Sequence, residues 1–427
     1  MSEKKIMSYH AHISYYAEKS VDKCVNCDIC KEIVACPCFD VGNIDKCVGC
    51  GACYLACPHM AIELRSRMEE VKEVRIKVDG EVIYVPEKIT VKRALEIAGF
   101  KFSKFPKFSN GDIFNPCEVG GCYACAVEIN GVVRPSCVTK VMEGMEIKTR
   151  ISESQELKRL LHGWMGHPVG GVGTPWWLKG KGYVEVAVFA CGCNLRCPQC
   201  QNWTTTYNGR VLAYTPKRAA EVMTYIRRRY GVDRMAISGG ECTLNRRWLI
   251  QYIKELKRLN PDREARFHID TNTTILTSDY IDELVEVGVT DIGPDLKGLS
   301  VETFMKITGI VDRELAEKYH KTSWQALKYL VDRYKGTVFI GVGIPYNKDL
   351  ITYEEIAKIG DEICRIDSEL QVCVLDYRPE FRKRSMSRPS FNEMIKVWKM
   401  LKATGLKTVI CQTIYGHIGP NDPKLLI

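Results

Sequence analysis

Twenty-one cysteines lie along this 427-residue chain, and their spacing constrains its fold more than any other feature. Nine fall between Cys24 and Cys57, four between Cys117 and Cys137, and four between Cys191 and Cys200. Only Cys242, Cys364, Cys373 and Cys411 stand apart. Thiolates that share a metal centre must converge on one point, and short regular gaps in three clumps are what that demands. A disulfide framework is the competing use, and it belongs to oxidising compartments. The opening MSEKKIMSYHAH has no apolar run behind its lysines, which argues against a secretory signal and for a cytoplasmic chain with reduced thiols. No apolar stretch nears the roughly 18 residues of a membrane span. The length allows two or three domains. A net charge of +9 comes from lysines and arginines interleaved with Glu and Asp, a pattern of solvated faces rather than of nucleic-acid binding. The short spots Arg227-Arg228-Arg229 and Arg382-Lys383-Arg384 leave a protein-docking patch as the second possibility.

The first segment, 1–70, reads Cys24-x2-Cys27-x2-Cys30-x5-Cys36-Pro37, then Cys47-x2-Cys50-x2-Cys53-x3-Cys57-Pro58. In two-cluster arrangements the cysteine before proline ligates the other cluster. One [4Fe-4S] centre then takes Cys24, Cys27, Cys30 and Cys57, and a second takes Cys47, Cys50, Cys53 and Cys36. The segment resembles the bacterial two-cluster ferredoxins, with a five-residue gap where three is usual, so Cys38 stands as an alternative to Cys36. Zinc also binds C-x2-C pairs, but a third cysteine and a Cys-Pro ending in both runs favour iron–sulfur.

The second segment, 71–150, opens with alternating apolar residues around Asp79-Gly80, a hairpin signature. ITVKRALEIAGF follows as a short helix expected to turn Ala94, Leu95, Ile97 and Ala98 inward. Cys117-x4-Cys122-x2-Cys125, with Cys137 further on, matches plant-type [2Fe-2S] ligation. The segment is similar to the β-grasp [2Fe-2S] domains of succinate dehydrogenase iron–sulfur subunits and iron hydrogenases. A structural zinc site is the competing assignment. Residues 151–182 read as a linker: a helix over ISESQELKRLLHGWMG, then a glycine-rich stretch in which Trp176 and Trp177 serve packing or a substrate surface.

The third segment, 183–427, alternates strands and helices. Strands are expected at YVEVAVFA, DRMAIS, RFHID, VTDIGPDL, 337–343 and 370–376. Helices are expected at PKRAAEVMTYIRRRY, RRWLIQYIKELKRL, SDYIDELVEV with Ser278 as cap, 321–334, 352–365 and 391–403. Such repetition favours an α/β fold with a parallel sheet and right-handed crossovers, here a partial (β/α)6 TIM-like barrel with its chemistry at the C-terminal strand ends.

Directly after the first of these strands stands Cys193-x3-Cys197-x2-Cys200. Three thiolates can hold only three irons of a four-iron cube, and the fourth remains an open Lewis-acid position, as in catalytic rather than closed metal sites. GCNLRCPQCQN at 192–202 resembles the cluster loop of the radical S-adenosylmethionine (SAM) enzymes grouped around pyruvate formate-lyase-activating enzyme. Ile237-Ser238-Gly239-Gly240-Glu241-Cys242 is similar to their strand-two motif, with Cys242 in place of the usual proline. His268-Ile269-Asp270-Thr271-Asn272 is similar to the strand-three motif, with Thr273 where the family has glycine. Asp295-Leu296-Lys297 and Ile307-Thr308-Gly309 follow family style downstream. The resemblance spans about 190–410. It implies that Cys193, Cys197 and Cys200 carry the SAM-cleaving [4Fe-4S] cluster. Gly239, Gly240, Glu241, Asp295 and Lys297 would contact SAM, and Asp270 and Thr271 would border a monovalent-cation site. Cys242 is a thiol near SAM or a small core residue, the latter favoured. Cys191, Cys364, Cys373, Cys411 and His417 read as core or structural residues.

The whole then carries three [4Fe-4S] clusters and one [2Fe-2S] cluster, the N-terminal ones relaying electrons from an external low-potential donor. The family implies reductive cleavage of SAM and hydrogen abstraction from a partner. A protein substrate, a glycyl-radical enzyme activated by this chain, comes first. A small molecule, nucleoside or metallocofactor precursor is the second candidate, and a non-catalytic electron-transfer protein the third.

Overall fold

The computed structural model describes residues 9–106, 111–180 and 182–421. Residues 1–8, part of the opening weighed as a secretory signal, and Lys181 of the connector lie outside the described residues. The chain divides into two compact units: Met1–Leu160 with Cys191–Asn194 and Thr204–Ala213, and Leu161–Ala190 with Leu195–Trp203 and Tyr214–Ile427. The two ferredoxin-like segments thus share one unit. Among the described residues no disulfide joins any cysteines, and no helix is long and apolar enough to cross a membrane.

In the first unit β1 (Tyr9–Lys19) pairs antiparallel with β2 (Ile62–Val78), from Tyr9 opposite Lys72 to Lys19 opposite Ile62. β2 runs on and folds back at Asp79-Gly80, both at positive φ, into β3 (Glu81–Pro86). Two successive left-handed residues suit a two-residue hairpin, because their twist matches that of the strands. Helix α1 (Val91–Ile97) starts at Thr90, whose hydroxyl accepts from the Arg93 amide, and buries Val91, Ala94 and Leu95. Ile97, expected to face inward, is instead 48% exposed. It lies off the 91-94-95-98 stripe, and a seven-residue helix on a small sheet buries one stripe only. Strands β4 (Ala126–Ile129), β5 (Val132–Pro135) and β6 (Glu146–Lys148) complete a mixed sheet in the order β1-β2-β6-β4-β5, with β3 on β2. Ile76, Val85, Leu95, Val127 and Ile147 meet in its core.

The second unit opens with a correction. The stretch expected to be helical up to residue 166 forms strand β7 (Arg159–His167), antiparallel to β8 (Glu185–Ala190). Gly163 and Gly166 explain it: glycine weakens a helix, and on a strand they allow close approach. A methyl on Gly166 would lie 2.2 Å from the Tyr230 ring, and Gly163 takes a φ of +70°.

The repeats then follow as α2 (Pro216–Tyr230), β9 (Arg234–Gly239), α3 (Arg246–Leu259), β10 (Arg266–Thr271), α4 (Ser278–Val287), β11 (Asp291–Pro294), α5 (Val301–Thr308), α6 (Arg313–Tyr334), β12 (Phe339–Tyr346), α7 (Tyr353–Ile366), β13 (Gln371–Asp376), α8 (Phe391–Ala403), β14 (Thr408–Thr413) and β15 (Gly416–Ile418). Strands β8 to β14 lie side by side in sequence order, each parallel to the next, and β15 turns back on β14. Helix α6 begins earlier than the expected 321–334, and β12 runs three residues past the expected end. Thr277, not Ser278, occupies the N-cap of α4.

Part of the expected linker packs inside this sheet. Methyls on Gly341 and Gly343 would meet Val172 at 2.3 and 2.9 Å, and one on Gly173 would lie 2.5 Å from His268 Nε2. The Gln371 side chain holds the segment on either side of Pro175, accepting from the Trp176 amide at 2.8 Å and donating to Thr174 O at 2.9 Å. Trp176 packs on Val172, Cys373 and Ile410, as the packing reading required, and Trp177 sets its ring edge-on to Trp176 and Phe339.

Candidate functional site

The cysteine runs of the first unit share one backbone device. Asn26 and Asp28 flank Cys27 with φ near +54°, and Gly49 and Gly51 flank Cys50 with φ of +64° and +76°. Left-handed residues on both sides of the middle cysteine curl each C-x2-C-x2-C so that its thiols face one point. Asn and Asp are the side chains that tolerate this conformation best after glycine. The first run therefore adopts the geometry of the second without its glycines.

Each run closes a cavity with a cysteine from the other. Cys24, Cys27, Cys30 and Cys57 line one pocket. Cys36, Cys38, Cys47, Cys50 and Cys53 line another. Both alternatives for the last ligand thus reach the second cavity, but Cys38 Sγ already donates to Lys46 O at 2.5 Å. Backbone amides bond the Cys47 sulfur from Ala17 and Gly49, and Ala61 N–H bonds that of Cys57. A soft four-sulfur set has the donor chemistry that iron–sulfur clusters take.

Cys117, Cys122, Cys125 and Cys137 are all buried. Hydrogen bonds from Cys122 and Cys137 hold the Cys117 thiol well below its ordinary range, and one from Cys137 lowers Cys125. The four sulfurs therefore lie within mutual reach. Glu118, Gly120 and Tyr123, all at positive φ, wrap the loop around them. This set fits a [2Fe-2S] centre on the same grounds.

In the second unit the loop carrying Cys197 and Cys200 is held from beneath. Arg196 N–H donates to Thr308 O at 2.8 Å, and Gln199 Nε2 donates to Ile307 O at 2.8 Å. Gly309 takes a φ of +69°, and a methyl there would lie 2.4 Å from Arg196 O. The Ile307-Thr308-Gly309 motif is thus a seat for the cysteine loop. The amides of Arg382 and Lys383 donate to Pro198 O, and Trp203 stacks on Phe381 while its Nε1 donates to Glu380. Cys193 lies on the 191–194 stretch assigned to the first unit.

The strand ends gather the remaining expected residues. Gly239 takes a φ of +114°, and a methyl on it would come 2.4 Å from Ala190 N. Its neighbour's amide, Gly240 N–H, donates to Ala190 O at 2.8 Å. Asn202 Nδ2 donates to Gly239 O at 3.2 Å. Glu241 is buried, and its carboxylate ties β9 to β10. One oxygen accepts from Thr243 N, Thr243 Oγ1 and Thr271 Oγ1, and the other from Asn272 N at 2.7 Å. Cys242 is fully buried, its sulfur 3.2 Å from Asp270 O.

Lys297 donates to Asp295 Oδ2 and to the Tyr377 hydroxyl, both at 2.5 Å. Burial opposes the charge on Lys297, but Asp295 and neighbouring groups hold its pKa well above the ordinary value. Burial pushes the Cys197 thiol up to about 12, with Lys297, Cys200 and Asp295 the charged groups acting on it, which sets this pair beside the cysteine loop.

Two features escaped sequence reasoning. Tyr377 follows strand β13 directly, and its place after a strand end was the available signal. The second is a buried polar chain. His268 Nδ1 meets Glu185 Oε2 and its Nε2 meets Asp270 Oδ1, both at 3.0 Å, while Arg234 donates to Asp291 at 2.9 Å. Burial disfavours a charged His268, but the two carboxylates override it and push its pKa up to about 10. Asp270 also accepts from Gly173 N–H at 3.3 Å, so this residue is bound to the buried connector. Glu185 and Arg234 each open a strand and His268 and Asp270 alternate along β10, a pattern that gave no sequence sign that they would face one another.

Three family models match parts of this chain. The radical SAM superfamily matches residues 188–359, the 2Fe-2S iron–sulfur cluster binding domain matches 71–151, and the 4Fe-4S binding domain matches 41–63. The chain therefore carries a radical SAM domain together with 2Fe-2S and 4Fe-4S ferredoxin-like domains, and an α/β radical SAM core. Similar solved structures include SuiB of Streptococcus suis bound to S-adenosylmethionine, 16% identical over 49% of this chain and 44% of that one, with a TM-score of 0.38. The coproporphyrinogen III oxidase HemN from Escherichia coli is 16% identical over 48% of each chain, with a TM-score of 0.34. HydG, a maturase of the [FeFe]-hydrogenase, is 14% identical over 52% of this chain and 49% of that one, with a TM-score of 0.40. This chain spans about half the length of each of these structures.

Proposed function

We propose that this chain is a radical SAM enzyme that abstracts hydrogen from a partner, most specifically a glycyl-radical-enzyme activase, with its N-terminal clusters as an electron relay. The observation that carries the reading is the three-cysteine loop Cys193, Cys197 and Cys200, seated on Ile307-Thr308-Gly309 after the first parallel strand. Cys193, Cys197 and Cys200 would hold a [4Fe-4S] cluster there, which would supply the Lewis acidity and the electron needed for reductive cleavage of SAM.

The surrounding residues take the remaining tasks. Gly239 and Gly240 leave the β9 end free of side chains, so that the backbone can lie along the SAM methionine. Lys297, kept charged by Asp295, offers an ammonium to the SAM carboxylate. Glu241 fixes the strand ends that face the SAM amino group. Thr271 and Asp270 border the place of a monovalent cation in the resembling enzymes. Cys36 is the preferred fourth ligand of its cluster, because Cys38 is engaged with Lys46 O. The cytoplasm suits so many thiolate ligands.

Formation of 5′-deoxyadenosine by the anaerobically reconstituted, dithionite-reduced protein with SAM tests the chemistry, and its absence would leave an electron-transfer protein. Electron paramagnetic resonance (EPR) after mixing with a glycyl-radical enzyme tests the partner. A doublet glycyl signal supports the activase, whereas 5′-deoxyadenosine without any protein radical points to a small-molecule substrate.

A further inference from the structure

A relay needs an order of carriers, and the first unit contains the contact that sets it. The loop of the [2Fe-2S] ligands and the start of the SAM-cluster loop meet glycine to glycine. A methyl on Gly121 would lie 2.8 Å from both Cys191 C and Gly192 N. One on Gly192 would lie 2.9 Å from Cys122 N and 3.0 Å from Cys117 Cβ. Any other residue at either place would force the two backbones apart. Two hydrogen bonds lace the same junction: Leu160 N–H donates to Gly121 O at 3.2 Å, and Cys191 N–H donates to Leu160 O at 3.0 Å. Gly192 precedes Cys193, and Gly121 precedes Cys122. A ligand of one centre and a ligand of the other therefore follow directly from residues in van der Waals contact.

We propose that the [2Fe-2S] centre of Cys117, Cys122, Cys125 and Cys137 is the last carrier before the SAM cluster, its electron crossing at Gly121–Gly192. This rests on the relay reading above. One electron leaves the reduced [2Fe-2S] centre, which returns to its oxidised form, and reduces the oxidised [4Fe-4S] cluster at Cys193. No proton or bond changes place, and a reduced ferredoxin-type donor refills the chain from outside.

The step before it is marked by a pocket that has both Cys50 and Cys137 on its wall, a ligand of the second [4Fe-4S] centre and one of the [2Fe-2S] centre. Asn115, also on this wall, is 1% exposed, and neither atom of its amide has a hydrogen-bond partner. Uncommitted amide dipoles between two carriers can reorient with the charge that passes. A direct route from the second [4Fe-4S] centre to the SAM-cluster loop is the competing path. Along that path Gly209 N–H donates to Ile33 O and Arg210 Nε donates to Val34 O. Those residues lie well beyond Cys200 in the chain, whereas Gly192 adjoins a ligand.

The experiment uses the full-length, reconstituted protein mixed anaerobically with reduced ferredoxin and followed by rapid-freeze EPR, without SAM turnover. In Gly121→Ala the [2Fe-2S] signal should rise as in the unmodified chain, while the SAM-cluster signal is delayed. Midpoint potentials and the dithionite end point should stay unchanged. In Cys125→Ala, which removes a ligand of the [2Fe-2S] centre, the SAM-cluster signal from ferredoxin should be lost while dithionite still produces it. A Gly121→Ala chain lacking the [2Fe-2S] signal is judged by the same criterion as Cys125→Ala. A SAM-cluster signal that rises at the unmodified rate in both variants overturns the order. Absence of 5′-deoxyadenosine from the dithionite-reduced unmodified protein would instead refute the proposed function, and it leaves the EPR order readable.

Discussion

Replacing Glu241 by glutamine exchanges one carboxylate oxygen for an NH2 group at a place where every neighbour is a donor. The Thr243 amide, the Thr243 and Thr271 hydroxyls and the Asn272 amide all point at this carboxylate. The least costly orientation keeps the oxygen toward the three donors on Oε1 and turns the NH2 toward Asn272, whose N–H then faces another donor. A hydrogen bond to a charged group contributes about 1.5–3 kcal/mol, and a buried donor left without an acceptor costs a similar amount. The Asn272 amide should therefore exchange roughly 10- to 100-fold faster in E241Q, provided that it exchanges by local opening. Hydrogen exchange resolved to single amides measures it, with Arg196, which donates to Thr308 O, as an internal control. SAM affinity should fall with it, because the same opening disorders the ends of β9 and β10. Unchanged protection at Asn272 in E241Q would refute the assignment of Glu241 as the tie between these strands.

Two further outcomes follow from the second unit. His417 is buried near Lys179 and His167, and burial first, then these positive neighbours, lower its pKa from 6.5 to about 4. A depressed histidine pKa supplies stability that is whole above pH 6.5 and gone by about pH 4, at most about 3 kcal/mol. An H417Q variant should accordingly show a shallower fall in unfolding midpoint between pH 7 and 4, and an unaltered acid limb would contradict this. Gly309→Ala puts a side chain at positive φ, a cost of roughly 1–2 kcal/mol, and drives a methyl into Arg196 O. It should lower thermal stability and the iron content referable to Cys197 and Cys200, whereas full iron loading at an unchanged melting temperature would show that the loop does not depend on this seat.

How much of this was legible in the sequence depended on what fixed each feature. The convergence of the cysteines could be read because side chains that face one point from a tight turn recur at fixed short intervals, and the pockets lined by Cys24, Cys27, Cys30 and Cys57 and by the Cys36–Cys53 set follow those intervals. The parallel strands could be read from apolar runs alternating with amphipathic helices. The stretch through residue 166 could not, because SESQELKRLL has helical composition, yet 152–158 is turn and irregular chain and the strand from Arg159 forms by pairing with β8. Nor could the burial of residues 172–175 against the sheet. A run rich in glycine signals a loop, and the same absence of side chains is what lets Val172 and Gly173 lie against β10, β11 and β12. The pairing of His268 with Glu185 depends on register between β8 and β10, which have β9 between them.

The departures from the resembling motifs show what a motif transmits. Thr273 stands where those enzymes have glycine, yet it holds a φ of +57° and is fully buried. A β-branched residue adopts that conformation at a cost of about 1–2 kcal/mol, so something else fixes the turn. Its own bonds do: Thr273 N–H donates to Thr271 Oγ1 at 3.0 Å, and Thr273 Oγ1 donates to Asn272 O at 2.7 Å. Asn272 Oδ1 in turn accepts from the amide and hydroxyl of Thr274. The glycine's conformational freedom has been exchanged for local hydrogen bonds, and the backbone path is kept. Cys242 follows the same logic in place of proline, since a small buried side chain keeps Glu241 directed at Thr271 and Asn272. At the strand ends, then, backbone conformation rather than residue identity carries over, and the glycines that tolerate no substitute are those set by contact, Gly239 on Ala190 and Gly309 on Arg196.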